Sequence, residues 1–527
     1  MKKVLIFLLI FIFYNSHLSS NDDLNKNNKK PLCFDKNGNK FIESLNDTIV
    51  KKIEIDIDQY RKWIINSTKI ITSRGRFIDS KYKKRFNASL NVKYDNNVNC
   101  YLKGRIRHSG DAKDHIKLFN NSIIQSLDIN LKSGHIQGIT KFKLYIPGVR
   151  GIEEDEIIQT LILKKLNFIS PRTKKINVRV NELNLVMLFQ EKAAKEMLEN
   201  NNRREGPILE ADQKFFFKLV SNIPDNQLSN WSVGTPILRS KSAKAMLSKQ
   251  TNAKIIQSSD NYLNMSLNSI NNLNSIFLYY SNRFDEKKNN FHFFDYDLDN
   301  TLLGFFEPEK ILKLDIYNLL MQSTNSHHAL SASNRKFYWN SIEGYFEPIN
   351  YDSNPFIDGE APTTTSSSIR FPVSKYYPKA FFVLQEELIN LDITDLKNQM
   401  VFSGYDLSSN QIQKKINKII LNLELLKNGY SKISKDIEKH NNYKPIDGIL
   451  SQFNSNLEEI DPAVLLIKES SDKKNFKICK IYFKDCENWN YDKNLLEKLL
   501  NGSLNKNNRA YQFVGKDLNF DNFKHLS

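Results

Sequence analysis

An aspartate and an asparagine in the second half of the chain have the side chains that a magnesium–phosphate site needs. Asp352 ends the apolar segment FEPINYD, and Asn334 directly precedes the segment RKFYWN. We expect the two segments to form an antiparallel hairpin, so that the residue before the first strand lies near the last residue of the second. Carboxylate and amide oxygens are the hard ligands that Mg²⁺ prefers. The pattern therefore predicts that Asp352 and Asn334 bind magnesium together.

A second set of carboxylates lies in the stretch FFDYDLDNTLLG, residues 293–304. Asp295, Asp297 and Asp299 have the i, i+2, i+4 spacing of a cation-binding loop, and Asp297 and Asp299 form the alternative metal site. The stretch also resembles the first motif, DxDxT, of the haloacid-dehalogenase phosphatases, in which one Asp attacks phosphorus. No matching later acidic pair follows, so a solvated acidic loop is the preferred interpretation. A phosphatase stays a minor alternative.

The elements that must position these side chains follow from the hydrophobic pattern. Residues from about 48 to 110 alternate apolar and polar side chains, which predicts strands of an antiparallel sheet. The segments GIEEDEIIQTLILKKLNF, SKYYPKAFFVLQEELINL and NQIQKKINKIILNLELLKNG have helical patterns. Arg105 and Arg107 alternate with apolar neighbours on one strand. They therefore share one face, where they line a phosphate site or face solvent.

Four blocks between residues 104 and 352 resemble the CotH kinase family, which is named for a spore coat protein and is distantly related to protein kinases. They are GRIRHSGDAKDHI, KFKLYIPGVRGIEEDEI, FISPRTKKINVRVNELNLVMLFQEKAAKEMLENNNRREGPIL and HHALSASNRKFYWNSIEGYFEPINYD. The third block, with RREGP at residues 203–207, is long and specific. The resemblance implies an α+β, atypical kinase-like two-lobe fold. That fold has a β-rich N-terminal lobe, a helical C-terminal lobe and a small C-terminal α/β unit.

The same resemblance implies a site for ATP and Mg²⁺. The loop HHALSASN has the spacing of the kinase loop HRDLxxxN, which gives catalytic roles to His328 and Asn334. Asp352 then corresponds to the metal-binding aspartate of kinases. Glu191 is the carboxylate expected to pair with an ATP-contacting lysine, for which Lys143 is the candidate.

The sequence departs from the family pattern at several positions. Arg105 and Arg107 belong to the predicted nucleotide-binding set, but Asp128 stands where the family strand KxSxR has an arginine. Ala329 follows His328 where kinase loops carry the catalytic aspartate. Two functions therefore stay open. One is phosphotransfer from ATP to a protein or cell-envelope acceptor, and the other is a catalytically inactive binding protein of the cell envelope or capsule.

The N-terminal sequence MKKVLIFLLIFIFYNSHLSSNDD has the layout of a secretory signal peptide. We expect residues 1–20 to be cleaved, or alternatively to remain as an anchor, with no later transmembrane span. The protein is then exported, as a periplasmic, cell-surface or secreted protein. In an oxidising compartment Cys33–Cys100 and Cys479–Cys486 are reasonable disulfide pairs, and four buried thiols are the alternative.

The charge of the chain bears on its partners. A net charge of +17 predicts attraction to anions, so the expected partners are a nucleotide and an unidentified protein or anionic envelope polymer. The lysines are spread along the chain without an RNP-type or helix-turn-helix motif, so nucleic acid is not an expected partner. The predicted organisation is a polar linker at 21–47, a CotH kinase-like core at 48–360, a helical lobe at 361–445 and a small C-terminal α/β unit at 446–527.

Overall fold

The computed structural model of the chain describes residues 32–73, 77–213, 248–285, 298–332, 334–361, 374–437, 464–469, 475–480, 486–490, 492–504 and 510–513. The predicted signal peptide lies outside these residues, as do the first part of the predicted linker and the predicted boundary at 445–446. Within the described part of the chain, no helix is both long and apolar enough to cross a membrane.

The described residues form eighteen strands and eleven α-helices. The strands up to residue 250 are β1 (Leu32–Phe34), β2 (Val50–Ile57), β3 (Phe86–Tyr94), β4 (Asn99–His108), β5 (Ile116–Phe119), β6 (Ser122–Gln125), β7 (Leu127–Leu131), β8 (Lys141–Tyr145), β9 (Thr173–Val180), β10 (Leu183–Glu191), β11 (Ile208–Ala211) and β12 (Ser248–Gln250). The later strands are β13 (Lys336–Asn340), β14 (Tyr345–Ile349), β15 (Val464–Glu469), β16 (Asn475–Lys480), β17 (Cys486–Asn490) and β18 (Ala510–Phe513). The helices are α1 (Tyr60–Thr72), α2 (Glu153–Lys165), α3 (Lys195–Asn200), α4 (Asp260–Asp285), α5 (Asn300–Leu303), α6 (Pro308–Ser323), α7 (His327–Leu330), α8 (Tyr377–Ile389), α9 (Ile393–Phe402), α10 (Ser409–Ile437) and α11 (Lys493–Leu500).

Seven strands close into a barrel. They pair in the order β4–β3–β2–β9–β10–β8–β7, and β7 pairs with β4 again to complete the ring. β2 and β9 run parallel, whereas the other neighbours in the ring are antiparallel. Alternate residues of each strand point inward, and the interior is filled by apolar side chains such as Ile55, Leu90, Ile129, Phe142 and Phe189. Burial of this interior is the main stabilising term of the region.

The predicted two-lobe kinase-like fold is wrong, because this barrel belongs to a mixed α/β protein that differs from that architecture. The predicted strands of residues 48–110 are found at β2, β3 and β4, but residues 60–72 between β2 and β3 form helix α1 instead. Alternation shows only that one face of a strand is buried, and an open sheet gives the same signal as a closed one. Closure depends on the pairing of residues 104–108 with 127–131, which the local pattern does not encode.

Two further apolar cores lie outside the barrel interior. The antiparallel sheet β12–β11–β13–β14 packs with α4 and α11 around Leu273, Phe337 and Phe346. Helices α2, α6, α8, α9 and α10 share a separate apolar core. α6 contributes Leu314 to the first core and Leu319 and Leu320 to the second, and it contacts β14. The hairpin therefore has one end fixed between the barrel and the helices.

The structure contains one of the two predicted disulfides. Cys33 and Cys100 are opposite each other on β1 and β4 and form a disulfide, which confirms that prediction. Cys479 and Cys486 are register partners on β16 and β17, but their side chains lie outside the described part of the structure. Their bond stays a prediction.

Candidate functional site

The candidate site lies where the outer face of the barrel meets the end of the β13–β14 hairpin. Phe142 and Leu144 of β8 belong to the barrel interior, so Lys143 between them points outward. Its ammonium donates a hydrogen bond of 3.0 Å to the hydroxyl of Tyr351, which follows β14. This contact joins residues 208 positions apart and fixes the hairpin end against the barrel.

Three cations surround the side chain of Tyr351. Besides Lys143, Nζ of Lys336 lies 4.0 Å from the ring centroid, and Cζ of Arg150 lies 5.5 Å from it. Burial opposes ionisation of the phenol, but the positive charges of Lys143, Lys336 and Arg150 outweigh it and lower the pKa of Tyr351 to about 7. The environment of the ring is therefore strongly positive, which favours an anion at this place.

The ionisation of Tyr351 gives a direct test of this environment. The folded-state pKa of about 7 lies below the unfolded-state value of about 10, so ionised Tyr351 stabilises the fold at high pH. This contribution is lost as the pH falls through about 7. We expect tyrosinate absorbance to rise by one tyrosine near pH 7 in the wild-type protein and not in Tyr351→Phe. Tyr101→Phe, which removes an exposed tyrosine, should retain the step. If Tyr351→Phe also retains it, the cation cluster does not act on Tyr351.

Asp352 lies next to the cation cluster and pairs with one of its members. Its backbone is left-handed, with a φ of 57°, a conformation that is uncommon for a non-glycine residue. Its carboxylate forms an ion pair with Arg150, whose side chain is only 4% exposed. Arg150 also donates a hydrogen bond of 2.5 Å to the hydroxyl of Tyr145. Asp352 is thus already in contact with a positive charge.

A buried carboxyl group holds the turn after Asp352. Ser353 donates a hydrogen bond of 3.0 Å to Glu156, and Gln190 donates one of 2.9 Å to the same carboxyl group. Burial raises the pKa of Glu156, and the positive charge of Arg150 only partly offsets this. Gln190 is the register partner of Lys143 on the next strand. Glu156 therefore connects the turn with the part of the barrel that carries Lys143.

His328 lies between Asn334 and Asp352. Its Nδ1 is 2.9 Å from the backbone carbonyl oxygen of Asp352 and 3.4 Å from the carboxylate oxygen Oδ2. A carbonyl oxygen can only accept, so Nδ1 donates the hydrogen in this contact, and in the neutral ring Nε2 is then the acceptor. Nδ2 of Asn334 lies 3.1 Å from both ring nitrogens, and Gln213 donates to Oδ1 of Asn334 at 3.2 Å. The structure thus brings the three predicted residues His328, Asn334 and Asp352 together.

The cations around Tyr351 differ in how far they are neutralised. Glu210 of β11 is the register partner of Lys336 on β13 and of Lys249 on β12, and it forms ion pairs with both. Burial opposes its ionisation, but the two lysines lower the pKa of Glu210 to about 2. Arg150 has Asp352 as its partner. For Lys143, by contrast, the described residues provide a phenol and no carboxylate partner.

Asp128 holds a second group of cations beside Lys143 on the outer face of the barrel. Its carboxylate lies 2.9 Å from Lys192, 2.8 Å from Arg107 and 3.4 Å from Arg85. Burial opposes its ionisation, but these cations hold the pKa of Asp128 far below its usual range. Burial and the charge of Lys143 lower the pKa of Lys192 to about 8, although Asp128 opposes this. Asp128, which stands where the motif KxSxR has an arginine, thus neutralises the charge of Arg107.

Glu191 is not placed beside Lys143. It is the register partner of Phe142, so Glu191 and Lys143 are on opposite faces of the strand pair. Its carboxylate instead forms an ion pair with Arg172, with an oxygen–nitrogen distance of 2.5 Å. A shift of one residue separates the predicted partners, because successive side chains alternate between faces.

The remaining predicted residues lie elsewhere. Arg105 is exposed on β4 and lines a different cleft. Asp299 accepts a hydrogen bond of 2.8 Å from the backbone N–H of Thr301 and so caps α5, whereas Asp297 lies outside the described residues. Among the residues that the structure describes, no group of three or more His, Cys, Asp or Glu side chains is arranged to hold a metal ion.

Three important members of the site were not in the predicted set. They are Arg150, Tyr351 and Glu156, and all of them lie inside the sequence blocks that resemble the CotH family. Tyr351 directly precedes Asp352, and Arg150 is in the loop after β8, so nearness in sequence was the available signal. Their convergence depends on the packing of the hairpin against the barrel.

Comparison with protein-family models gives no match for this chain, and comparison with curated proteins gives none either. The relation to the CotH family stays a prediction from the motifs. What the site can do follows from its own chemistry, which is that of a cationic surface beside a carboxylate and an amide.

Proposed function

We propose that this site binds the phosphates of magnesium–ATP and transfers a phosphoryl group to a hydroxyl group of a protein or cell-envelope acceptor. One observation carries the proposal. Lys143, Arg150 and Lys336 converge on Tyr351, directly beside Asp352, and Lys143 has no carboxylate partner in the described structure. Phosphoryl transfer depends mainly on positioning and on positive charge around the transferred group.

The cations bind the phosphate oxygens in this proposal. Lys143 is the first candidate, because it has no carboxylate partner among the described residues and a phosphate would replace its contact with the phenol of Tyr351, whose pKa is about 7. Arg150 is buried and fixed by Tyr145, so it presents a guanidinium whose position is set before a ligand arrives. A preorganised cation stabilises developing negative charge without reorganisation during the reaction.

Asp352 and Asn334 would hold the magnesium ion. Mg²⁺ in phosphate-transfer sites usually takes one or two carboxylates together with substrate oxygens and water. The donor types, a carboxylate and an amide, fit this ion, and its binding would require Asp352 to exchange its ion pair with Arg150 for the metal. The ion would supply neutralisation of phosphate charge.

His328 takes up the proton of the acceptor. The acceptor oxygen forms a bond to the γ-phosphorus, and the bond from that phosphorus to the bridging oxygen breaks, so ADP leaves with the electron pair. The hydroxyl proton moves to Nε2 of His328, which takes it up once the acceptor hydroxyl replaces the Nδ2 group of Asn334 at that nitrogen. The side chain is exposed, so an acceptor can reach it, and its contact with Asp352 orients the ring.

The test is nucleotide binding followed by transfer. We expect 1 mM ATP with magnesium to raise the melting temperature of the protein beginning at residue 21, and ATP with EDTA to raise it less, because a ligand that binds only the folded state stabilises it. Incubation with γ-labelled ATP and magnesium should then label the protein itself or an added envelope fraction. Absence of both stabilisation and label would contradict the proposal.

A binding protein without transfer is the second candidate function. The ion pair between Arg150 and Asp352 favours it, because it occupies the carboxylate that a metal needs. Ala329 also provides no carboxylate next to His328. Stabilisation by ATP that is unchanged by EDTA, together with absence of label, would support this alternative.

A further inference from the structure

An open cleft of about 470 Å³ lies between helix α1 and the strands β3 and β4, away from Tyr351 and Asp352. Five of its lining residues are basic: Lys62, Lys69, Lys84, Arg85 and Arg105. Asp58 is the one acidic residue among those that line it. A concave surface with this excess of positive charge concentrates anions.

The cleft is built by the amphipathic pattern of α1. Trp63 and Ile70 are fully buried on one side of the helix. Lys62, Ile65 and Lys69 are separated by three and four positions, so they form a stripe on the opposite, exposed side. The two lysines therefore stand on either side of Ile65, which is 49% exposed.

One of these five cations has an ion-pair partner among the residues that the structure describes. Arg85 forms an ion pair with Asp128, which belongs to the candidate site described above. For Lys62, Lys69, Lys84 and Arg105, the described part of the chain contains no ion-pair partner. A ligand with several negative charges would therefore gain attraction here without first breaking an ion pair of any of these four.

We propose that this cleft binds a short segment of an acidic polysaccharide. Besides the cations, Gln59 and Asn87 present amide groups in the cleft, and these can hydrogen-bond to sugar hydroxyls. The concave shape suits a chain that enters it, whereas a bilayer presents a broad, flat surface. The cleft includes neither Tyr351 nor Asp352, and the proposal does not depend on phosphotransfer.

The lining disfavours single-stranded nucleic acid. Proteins that bind single strands generally offer exposed aromatic rings on which bases stack. Phe86 is the aromatic residue among those that line the cleft, and it packs edge-on against Trp63 with ring centroids 5.2 Å apart. Phe86 is also partly buried against the barrel core, so it is not a freely exposed ring on which bases could stack.

Binding of defined oligosaccharides tests the proposal. The probes are an oligogalacturonate octamer, which carries carboxylates, and a heparin-derived octasaccharide, which also carries sulfates. Lys62→Glu/Lys69→Glu should weaken binding of at least one probe by about tenfold or more, equivalent to about 1.4 kcal/mol. The matched control is Lys379→Glu/Lys414→Glu, which reverses two exposed helical lysines elsewhere and should bind as the wild type does. Titration calorimetry at 150 mM salt measures the affinities, and circular dichroism checks that both variants fold.

Several results would overturn the proposal. Equal weakening in both double variants would show attraction to net charge rather than a site. Tighter binding of a DNA octamer than of either oligosaccharide would assign the cleft to nucleic acid, and binding only to anionic lipid vesicles would assign it to a membrane surface. Binding of neither oligosaccharide would also contradict the polysaccharide proposal, whether or not the protein binds ATP.

Discussion

Asp352→Asn is expected to remove the magnesium-dependent part of the stabilisation by ATP and to lower phosphoryl transfer by roughly 10²–10³-fold, the range seen when one preorganised electrostatic group of an active site is lost. The substitution keeps the size of the side chain and removes the negative charge that would bind the metal. Asn334→Ala should weaken the same effect without abolishing it, because an amide contributes a neutral ligand. Melting curves with ATP in magnesium and in EDTA measure both variants.

Asparagine is the better substitution because Arg150 is buried. Asp352→Ala would leave that guanidinium without its partner, and the loss of one member of a buried ion pair destabilises strongly. An asparagine oxygen can still accept a hydrogen bond from Arg150. A folded variant that no longer responds to magnesium then reports on the site and not on unfolding.

Asp299→Asn is the matched control. Asp299 caps α5, and asparagine caps helices about as well as aspartate, so the fold should be retained. We expect normal nucleotide binding in this variant, because Asp299 is not part of the cluster around Tyr351. If Asp299→Asn loses the magnesium response and Asp352→Asn keeps it, the metal carboxylate has been assigned to the wrong segment.

The parts of the site that were predictable from the sequence are local. The hairpin of β13 and β14 has Lys336 opposite Ile349, so Asn334 and Asp352 lie just beyond one end of it. Turn and strand patterns fix such a register within about twenty residues. His328 contacts both residues at that end.

The contacts between residues far apart in the sequence were not predictable in this way. Lys143 meets Tyr351 across 208 positions, and Glu191 misses Lys143 because it is one residue out of register. Barrel closure likewise requires β4 and β7 to pair at both of their edges. Each of these depends on how separate elements pack, which neither hydrophobic period nor charge pattern in a single segment determines.

Arg203→Ala is expected to lower the free energy of unfolding by about 3–5 kcal/mol, the cost of removing one member of a buried ion pair. Arg203 belongs to the RREGP motif and contacts Glu347 of β14 through Nε and Nη2, at 3.0 and 2.7 Å. The side chain of Glu347 is only 3% exposed. Arg203 also donates to the backbone oxygens of Asn167 and Asn201. Its loss would remove the arginine partner of a buried carboxylate, which would keep only a hydrogen bond of 2.7 Å from Asn340 and the more distant Lys313, and would take one donor from each of these carbonyl groups.

Arg204→Ala separates this structural role from a general effect of charge. Arg204 is the next residue in the same motif, it is exposed, and it has no ion-pair partner among the described residues. A surface substitution of this kind usually changes stability by less than about 0.5 kcal/mol. Urea unfolding of the two variants, at equal net charge, should therefore give well-separated midpoints with similar slopes. Similar midpoints would mean that Lys313, 3.6 Å from Glu347, compensates for the missing arginine. With separated midpoints, the first arginine of the motif acts by fixing β14, and with it the hairpin end that carries Tyr351 and Asp352.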